Sequence, residues 1–231
     1  MDKITFCIPV KSNLRYLKTC IPSLRENAFR KDHDIVIYVD QDTDGTLMWL
    51  RENKEKYNLK YIVNENINRE LKGIALGYNY TIEAAETDVV MIFHADMYLG
   101  KNADLEAFRH LTRSTVVCST RIEPPLHPPG PEKIVQDFGM WPEEDQGFQK
   151  EKLDAFIDNA ITQNDGKTTN GCFAPWMIHK DTIVGIGGND SIFHSYHEDS
   201  DLFMRLKIHG LTLVQSWTSF VYHLTCRGGV K

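Results

Sequence analysis

Short unbroken apolar runs alternate with amphipathic stretches over the first half of this chain, and that alternation limits the fold more than any other feature. Ile4 to Val10, Asp34 to Val39, Lys60 to Val63, Val89 to Phe93 and Thr115 to Cys118 read as strands. Between them lie helical patterns. One is capped by Ser12 or Asn13 and carries Leu14, Leu17, Ile21 and Leu24. The others cover about Thr46 to Tyr57, Glu70 to Ala85 and Ala103 to Leu111. Pro22 falls inside the first helix and weakens it, because proline donates no backbone hydrogen bond. Strand and helix in regular alternation imply βαβ units. Strands without polar alternation need cover on both faces. The expected class is α/β, with a mostly parallel central sheet flanked by helices.

The second half reads differently. Glu123 to Pro131 is dense in proline and excludes helix and central strand. The stretch on to Lys150 contains Phe138, Trp141 and Phe148, aromatics that suit an ordered flap against a ligand. A helix is expected over Glu151 to Gln163 and a strand over Cys172 to Ile178. A turn follows at Gly185, Gly187 and Gly188, then a helix near Glu198 to His209 and two short strands, Thr212 to Gln215 and Phe220 to His223. With no repeat and no linker, 231 residues are read as one domain. A nucleotide-binding half is expected over about 1–120 and an acceptor half over about 121–231.

Charge removes several functions. The net charge is −6, which leaves no footprint for duplex nucleic acid and no attraction to anionic lipid. The five cysteines are scattered without a CxxC pair, so a zinc site or disulfide framework is not expected and a reducing compartment is. The opening apolar run stops at Lys11, too short for a signal segment or a membrane span. The expected location is the cytoplasm.

In open parallel sheets, ligands bind outside the carboxyl ends of the strands. Three segments stand there: Pro9-Val10-Lys11, Asp40 to Thr46 with Asp42 and Asp44, and His94-Ala95-Asp96. Crowded acids need a compensating cation or donor groups. A divalent cation with oxygen ligands and a phosphorylated ligand would satisfy them. A turn-and-cap role for Asp40, Asp42 and Asp44 stands beside that reading. Lys11, Arg69 and Lys72 are either phosphate contacts or solvated surface. No strand is followed by GxGxxG, and no GxxxxGK[ST] loop occurs. Trp176, Trp141 and Phe148 either stack on apolar sugar faces or pack in the core. His194 and His197, beside Glu198 and Asp199, are candidate acceptor contacts.

Several motifs in fixed order carry a family resemblance. They are Ile8-Pro9-Val10, then Val39-Asp40-Gln41-Asp42-Thr43-Asp44-Gly45-Thr46, then Asn66, Gly73 and Ala75 to Asn79, then His94-Ala95-Asp96, then Glu198-Asp199-Ser200-Asp201-Leu202 with Arg205 and Gly210, and last His223. From about residue 3 to 225, the chain resembles family-2 glycosyltransferases of the GT-A nucleotide-sugar-binding fold. The resemblance implies an inverting transfer from a nucleoside-diphosphate sugar, UDP preferred, to a hydroxyl of a glycan or other acceptor. Pro9, Val10 and Asp40 would line the base and ribose pocket, with Asp42 and Ala95 close by. Asp96 and His223 would hold Mn²⁺ or Mg²⁺, and His94 stands where the family has the first acid of its DxD motif. Asp199 would take the acceptor proton, with Glu198 next to it. Asp201 and Arg205, four apart on a helix, are expected to pair as structural support. Two alternatives stay open: a sugar-phosphate nucleotidyltransferase and a non-catalytic nucleotide- or carbohydrate-binding module.

Overall fold

The structure is a computed structural model that describes residues 1–67, 69–125, 133–139, 147–171, 173–194 and 196–224. Trp141, Cys172, Cys226 and most of the proline-rich run lie outside the described residues. In chain order the elements are β1 (Thr5–Lys11), α1 (Leu14–Asn27), β2 (Asp34–Gln41), α2 (Thr46–Asn53), β3 (Leu59–Val63), α3 (Ile74–Glu83), β4 (Val89–Ile92), β5 (Met97–Leu99) and α4 (Ala103–Phe108). These are followed by β6 (Thr115–Glu123), β7 (Lys133–Val135), α5 (Lys150–Gln163), β8 (Thr168–Asn170), β9 (Trp176–His179), α6 (Lys180–Gly185), α7 (Glu198–Ile208) and β10 (Thr212–His223).

All ten strands form one sheet in the order β3-β2-β1-β4-β9-β6-β10-β5, with β7 beside β6 and β8 beside β10. The expected βαβ half is there: β1 runs parallel to β2 and β4, and β2 to β3. Beyond β4 the sheet becomes mixed, because β9 is antiparallel to both β4 and β6, and β5 and β8 are antiparallel to β10. The two expected late strands are one strand, β10, with a register shift between Ser216 and Phe220. β6 runs on past Cys118 to Glu123, up to the edge of the proline-rich run.

Helices cover both faces of the β1–β4 region, which is why those strands are apolar throughout. Alternate residues of β1 face opposite clusters. Phe6, Ile8 and Val10 pack with Leu17, Ile21 and Leu24 of α1, while Cys7 packs with Tyr78 and Ile82 of α3 and with Leu202 and Leu206 of α7. α1 runs through Pro22 without a break. Its first N–H, on Leu14, is satisfied at 2.8 Å by Asp44 of the β2–α2 loop and not by Ser12 or Asn13. Asp44 also accepts from Thr46, and Asp42 accepts from Gly45 and Leu47, so both acids act as turn and cap groups. α3 lies close on the sheet because Gly77 has no side chain: a Cβ there would stand 2.8 Å from Pro9 Cβ.

A buried polar pair ties the outer layer down. His33 Nδ1 accepts the Ile4 N–H at 3.0 Å, so the ring proton sits on Nε2, which donates to Asp104 at 2.9 Å. Both side chains are fully buried, and Asp104 also accepts the Phe29 N–H. A third apolar cluster joins α5 to the far end of the sheet. Leu153 and Ile157 pack there with Tyr98, Phe138, Phe148 and Tyr222.

Candidate active site

The carboxyl end of β2 delivers Asp40 to the sheet rim. Its carboxylate is only 6% exposed, and the chain's own donors surround it. Lys72 N (2.8 Å) and Asn64 Nδ2 (3.0 Å) donate to Oδ1, and Gly73 N (3.0 Å) donates to Oδ2. The helix expected from Glu70 therefore starts only at Ile74, since residues 72 and 73 turn their N–H groups onto Asp40. Gly73 sits at φ +85°, with the His194 carbonyl 2.5 Å from where a Cβ would be. This leaves room for the His194 carbonyl to accept the Ile74 N–H. The backbone donors of Lys72 and Gly73 thus hold an internal anion. Lys72 Nζ points to Glu70 at 3.4 Å, and Lys11 and Arg69 are exposed. The side chains of Val10 and Ala95 are buried in the core, and Pro9 abuts Gly77.

The other pole of the rim is built by strand pairing. After β4 the chain turns through His94-Ala95-Asp96 into β5, which pairs antiparallel with β10 so that Met97 stands opposite His223. Leu224 N donates to the Asp96 carbonyl at 2.9 Å, which locks the register. Side chains alternate along β10, so Tyr222 faces the third apolar cluster and His223 faces Asp96. His223 Nε2 lies 3.2 Å from Asp96 Oδ2, and His94 Nδ1 lies 4.0 Å from Asp96 Oδ1. One donor atom from each of the three lies within 4.8 Å of the others. Two imidazoles and a carboxylate are ordinary ligands of a divalent transition ion, so the residues present fit one. Burial pushes His94 down to about 4, against the pull of Asp96, so its ring is neutral and can ligate at neutral pH. Burial acts to raise Asp96, but the neighbouring His223 outweighs it and keeps the carboxylate below its usual range.

Three residues that the sequence reading passed over complete this pole. Tyr78 of α3 stacks on His94, with ring centroids 6.3 Å apart. Its hydroxyl is buried without a hydrogen-bond partner among the described residues, and burial followed by the Glu198, Asp96 and Asp199 charges raises it far above the usual tyrosine range. Arg121 and Glu123 arrive on β6, with Arg121 Cζ 4.5 Å from the Phe173 ring centre. Glu123 Oε1 lies 3.2 Å from His223 Nδ1, and its Oε2 takes Lys133 Nζ at 2.7 Å. The signal was Ser119-Thr120-Arg121-Ile122, strand-compatible residues before the first proline.

α7 brings Glu198 and Asp199 to the same pole. His197 precedes the helix at φ 70° and is exposed, as is Asp199. Asp199 Oδ1 accepts the Ser200 N–H at 2.7 Å. Its charge acts on both His94 and Tyr78, which places it electrostatically beside the three-residue cluster. Glu198 Oε2 is buried without a partner among the described residues, and burial, then repulsion from Asp199, raises this carboxyl above its usual range. Asp201 pairs with Arg205 at 2.7 Å, as expected.

Two expectations are corrected. Trp176 is not a sugar platform: it sits on β9 inside the sheet, 3% exposed, edge-on to Phe203 at 5.7 Å. Phe138 and Phe148 pack on Tyr222 at 5.8 and 5.6 Å, so they support the strand that carries His223 instead of facing a ligand.

The family model for glycosyl transferase family 2 matches residues 5–166, most of the chain and all of the βαβ half. The chain belongs to this family. A poly(ribitol-phosphate) beta-glucosyltransferase of Bacillus spizizenii is 28% identical over 102 residues, which are 44% of this chain and 16% of that protein. S. aureus TarS 1-349 in complex with UDP-GlcNAc aligns with a TM-score of 0.67 at 14% identity, over 97% of this chain and 61% of that one. GalNAc-T7 with UDP, GalNAc and Mn²⁺ aligns with a TM-score of 0.69 at 14% identity, over 96% and 43%. These structures share the fold, and the chain spans less than two thirds of each relative. Among the described residues, no helix is long and apolar enough to cross a membrane.

Proposed function

We propose that this chain is the donor-binding and catalytic part of an inverting, metal-dependent glycosyltransferase. It takes a sugar from a nucleoside diphosphate, UDP by preference, and passes it to a hydroxyl of a glycan or other acceptor. Family membership supports the reaction class. UDP, UDP-GlcNAc and Mn²⁺ in the crystals of fold neighbours support the donor and the ion. The observation that carries the reading is the meeting of His94, Asp96 and His223 at the rim where Asp199 also acts.

His94, Asp96 and His223 would hold the ion. The mixed nitrogen and oxygen set favours Mn²⁺ over Mg²⁺, which demands oxygen ligands. When bound, the ion offsets the negative charge that develops on the departing nucleoside diphosphate. Asp199 accepts the proton of the acceptor hydroxyl as that oxygen attacks the anomeric carbon. Ser200 N–H holds Asp199 Oδ1, which leaves Oδ2 for the proton. Glu198 Oε2 and the Tyr78 hydroxyl, both buried and unpartnered, are available to sugar hydroxyls. Asp40, Pro9 and Val10 shape the base and ribose side, with Asp40 acting through the Lys72–Gly73 turn. We assign the donor side to about residues 1–120, the acceptor side to the remainder, and the enzyme to the cytoplasm.

The test is a panel of nucleoside-diphosphate sugars with Mn²⁺, first by thermal shift and then by turnover. A bound donor raises the melting temperature according to its affinity. Free nucleoside diphosphate is the expected product, whereas pyrophosphate would move the protein to the nucleotidyltransferases. Undiminished transfer in excess chelator would remove the metal from the reading.

A further inference from the structure

We propose that Glu123 is the positioning residue of the metal centre and sets both the tautomer and the orientation of His223. The inference rests on the reading of His94, Asp96 and His223 as that centre.

A neutral imidazole carries one ring proton, and it ligates through the nitrogen that lacks it. His223 has a carboxylate on each side: Glu123 Oε1 is 3.2 Å from Nδ1, and Asp96 Oδ2 is 3.2 Å from Nε2. With the proton on Nδ1 and donated to Glu123, the Nε2 lone pair is turned into the space shared with Asp96 and His94. Removal of Glu123 frees the proton to sit on either nitrogen and the ring to swing about its Cβ–Cγ bond. A carboxylate behind a ligating histidine also increases its basicity.

Glu123 is itself rigidly held. It is 2% exposed; its Oε2 accepts from Lys133 Nζ at 2.7 Å, and the Arg121 guanidinium lies beside Oε1 as an ion pair, with Nε 3.3 Å away. The three side chains come from two paired strands: Arg121 stands opposite Lys133, and Glu123 opposite Val135. On the other side of β6, Ile122 stands opposite Tyr222 of β10, which puts Glu123 next to His223. The two cations compensate the buried charge, so the carboxylate orients His223 without adding uncompensated negative charge where a diphosphate would lie.

The experiment is a Mn²⁺ titration of the whole chain, read as free Mn²⁺ by electron paramagnetic resonance. Wild type, E123A, E123M and E123Q are compared, each checked for fold by circular dichroism. Loss of the carboxylate is expected to weaken Mn²⁺ binding about 10–100-fold. E123M fills the buried space without an acceptor and carries the test where E123A does not fold. E123Q keeps an acceptor oxygen for Nδ1–H and is expected to recover most of the affinity. Glu123 is overturned if folded E123A or E123M binds Mn²⁺ as wild type does, or if E123Q is as weak as E123A. Wild type that binds no Mn²⁺ would sink the metal reading, and this inference with it.

Discussion

At the carboxyl end of β2, the Asp40 carboxylate is closed in by Lys72 N, Gly73 N and Asn64 Nδ2, donors from its own chain. At the end of β4, two strands away in the sheet, Asp96 faces two ionisable side chains, His223 and His94. At the same pole, Tyr78 and Glu198 each keep a buried polar atom with no partner among the described residues. An unsatisfied buried polar atom costs about 1–3 kcal/mol, so it persists where something else supplies the partner. The β2 pole is a finished piece of architecture. The β4–β10–α7 pole is unfinished in the way a binding and reacting site must be.

The sharpest way to break this contrast is Asp199→Asn, the change at the unfinished pole that touches the chemistry. Turnover is expected to fall about 10²–10⁴-fold while donor binding by thermal shift is retained. Unchanged turnover would remove Asp199 as the base.

Next in size is Asp40→Ala at the finished pole. It strands three donors, and urea unfolding should report a loss of about 3 kcal/mol. Asp40→Asn should lose less, because it keeps one acceptor oxygen. A D40A protein as stable as wild type, with donor affinity alone reduced, would show that Asp40 belongs with the ligand-facing groups.

The smallest effect is a pH dependence. Burial acts to raise Glu123, but the His223 hydrogen bond, the Arg121 charge and the Lys133 contact outweigh it and bring it from 4.5 down to about 2. A carboxyl whose folded value is lowered contributes stability above its unfolded value. That contribution is present above about pH 4.5 and is lost as the pH falls towards 2. Urea midpoints measured across that window should fall less steeply for Glu123→Gln than for wild type. Parallel slopes would show that the groups around Glu123 do not hold its charge in solution.

Much of the βαβ half was legible because its signals are local. Apolar runs of strand length and helical periods marked β1 to β4 and α1 to α3, and Asp42 and Asp44 proved to be the turn and cap groups their spacing allowed. The shortest strands of the sheet were not legible. β5, β7 and β8 are three residues each, too short for a period to show. β6 was cut short at Cys118 because the prolines after Glu123 dominated the reading, and Arg121 and Glu123 were missed with it. Trp176 stayed open between core and ligand because a tryptophan on a sheet face and one at a ligand look the same until the covering layer is known.

By itself, the sequence determined the alternating α/β pattern, the apolar faces, the family motifs and the acids at the strand ends. These depend on residue type and near-neighbour spacing. Tertiary structure alone decided that Glu123 joins His94, Asp96 and His223, and which atoms of the four face one another. β10 pairs antiparallel with β5 and parallel with β6, and those two registers bring together residues a hundred or more positions apart. Register follows from packing and hydrogen bonding over the whole sheet, and no local pattern records it.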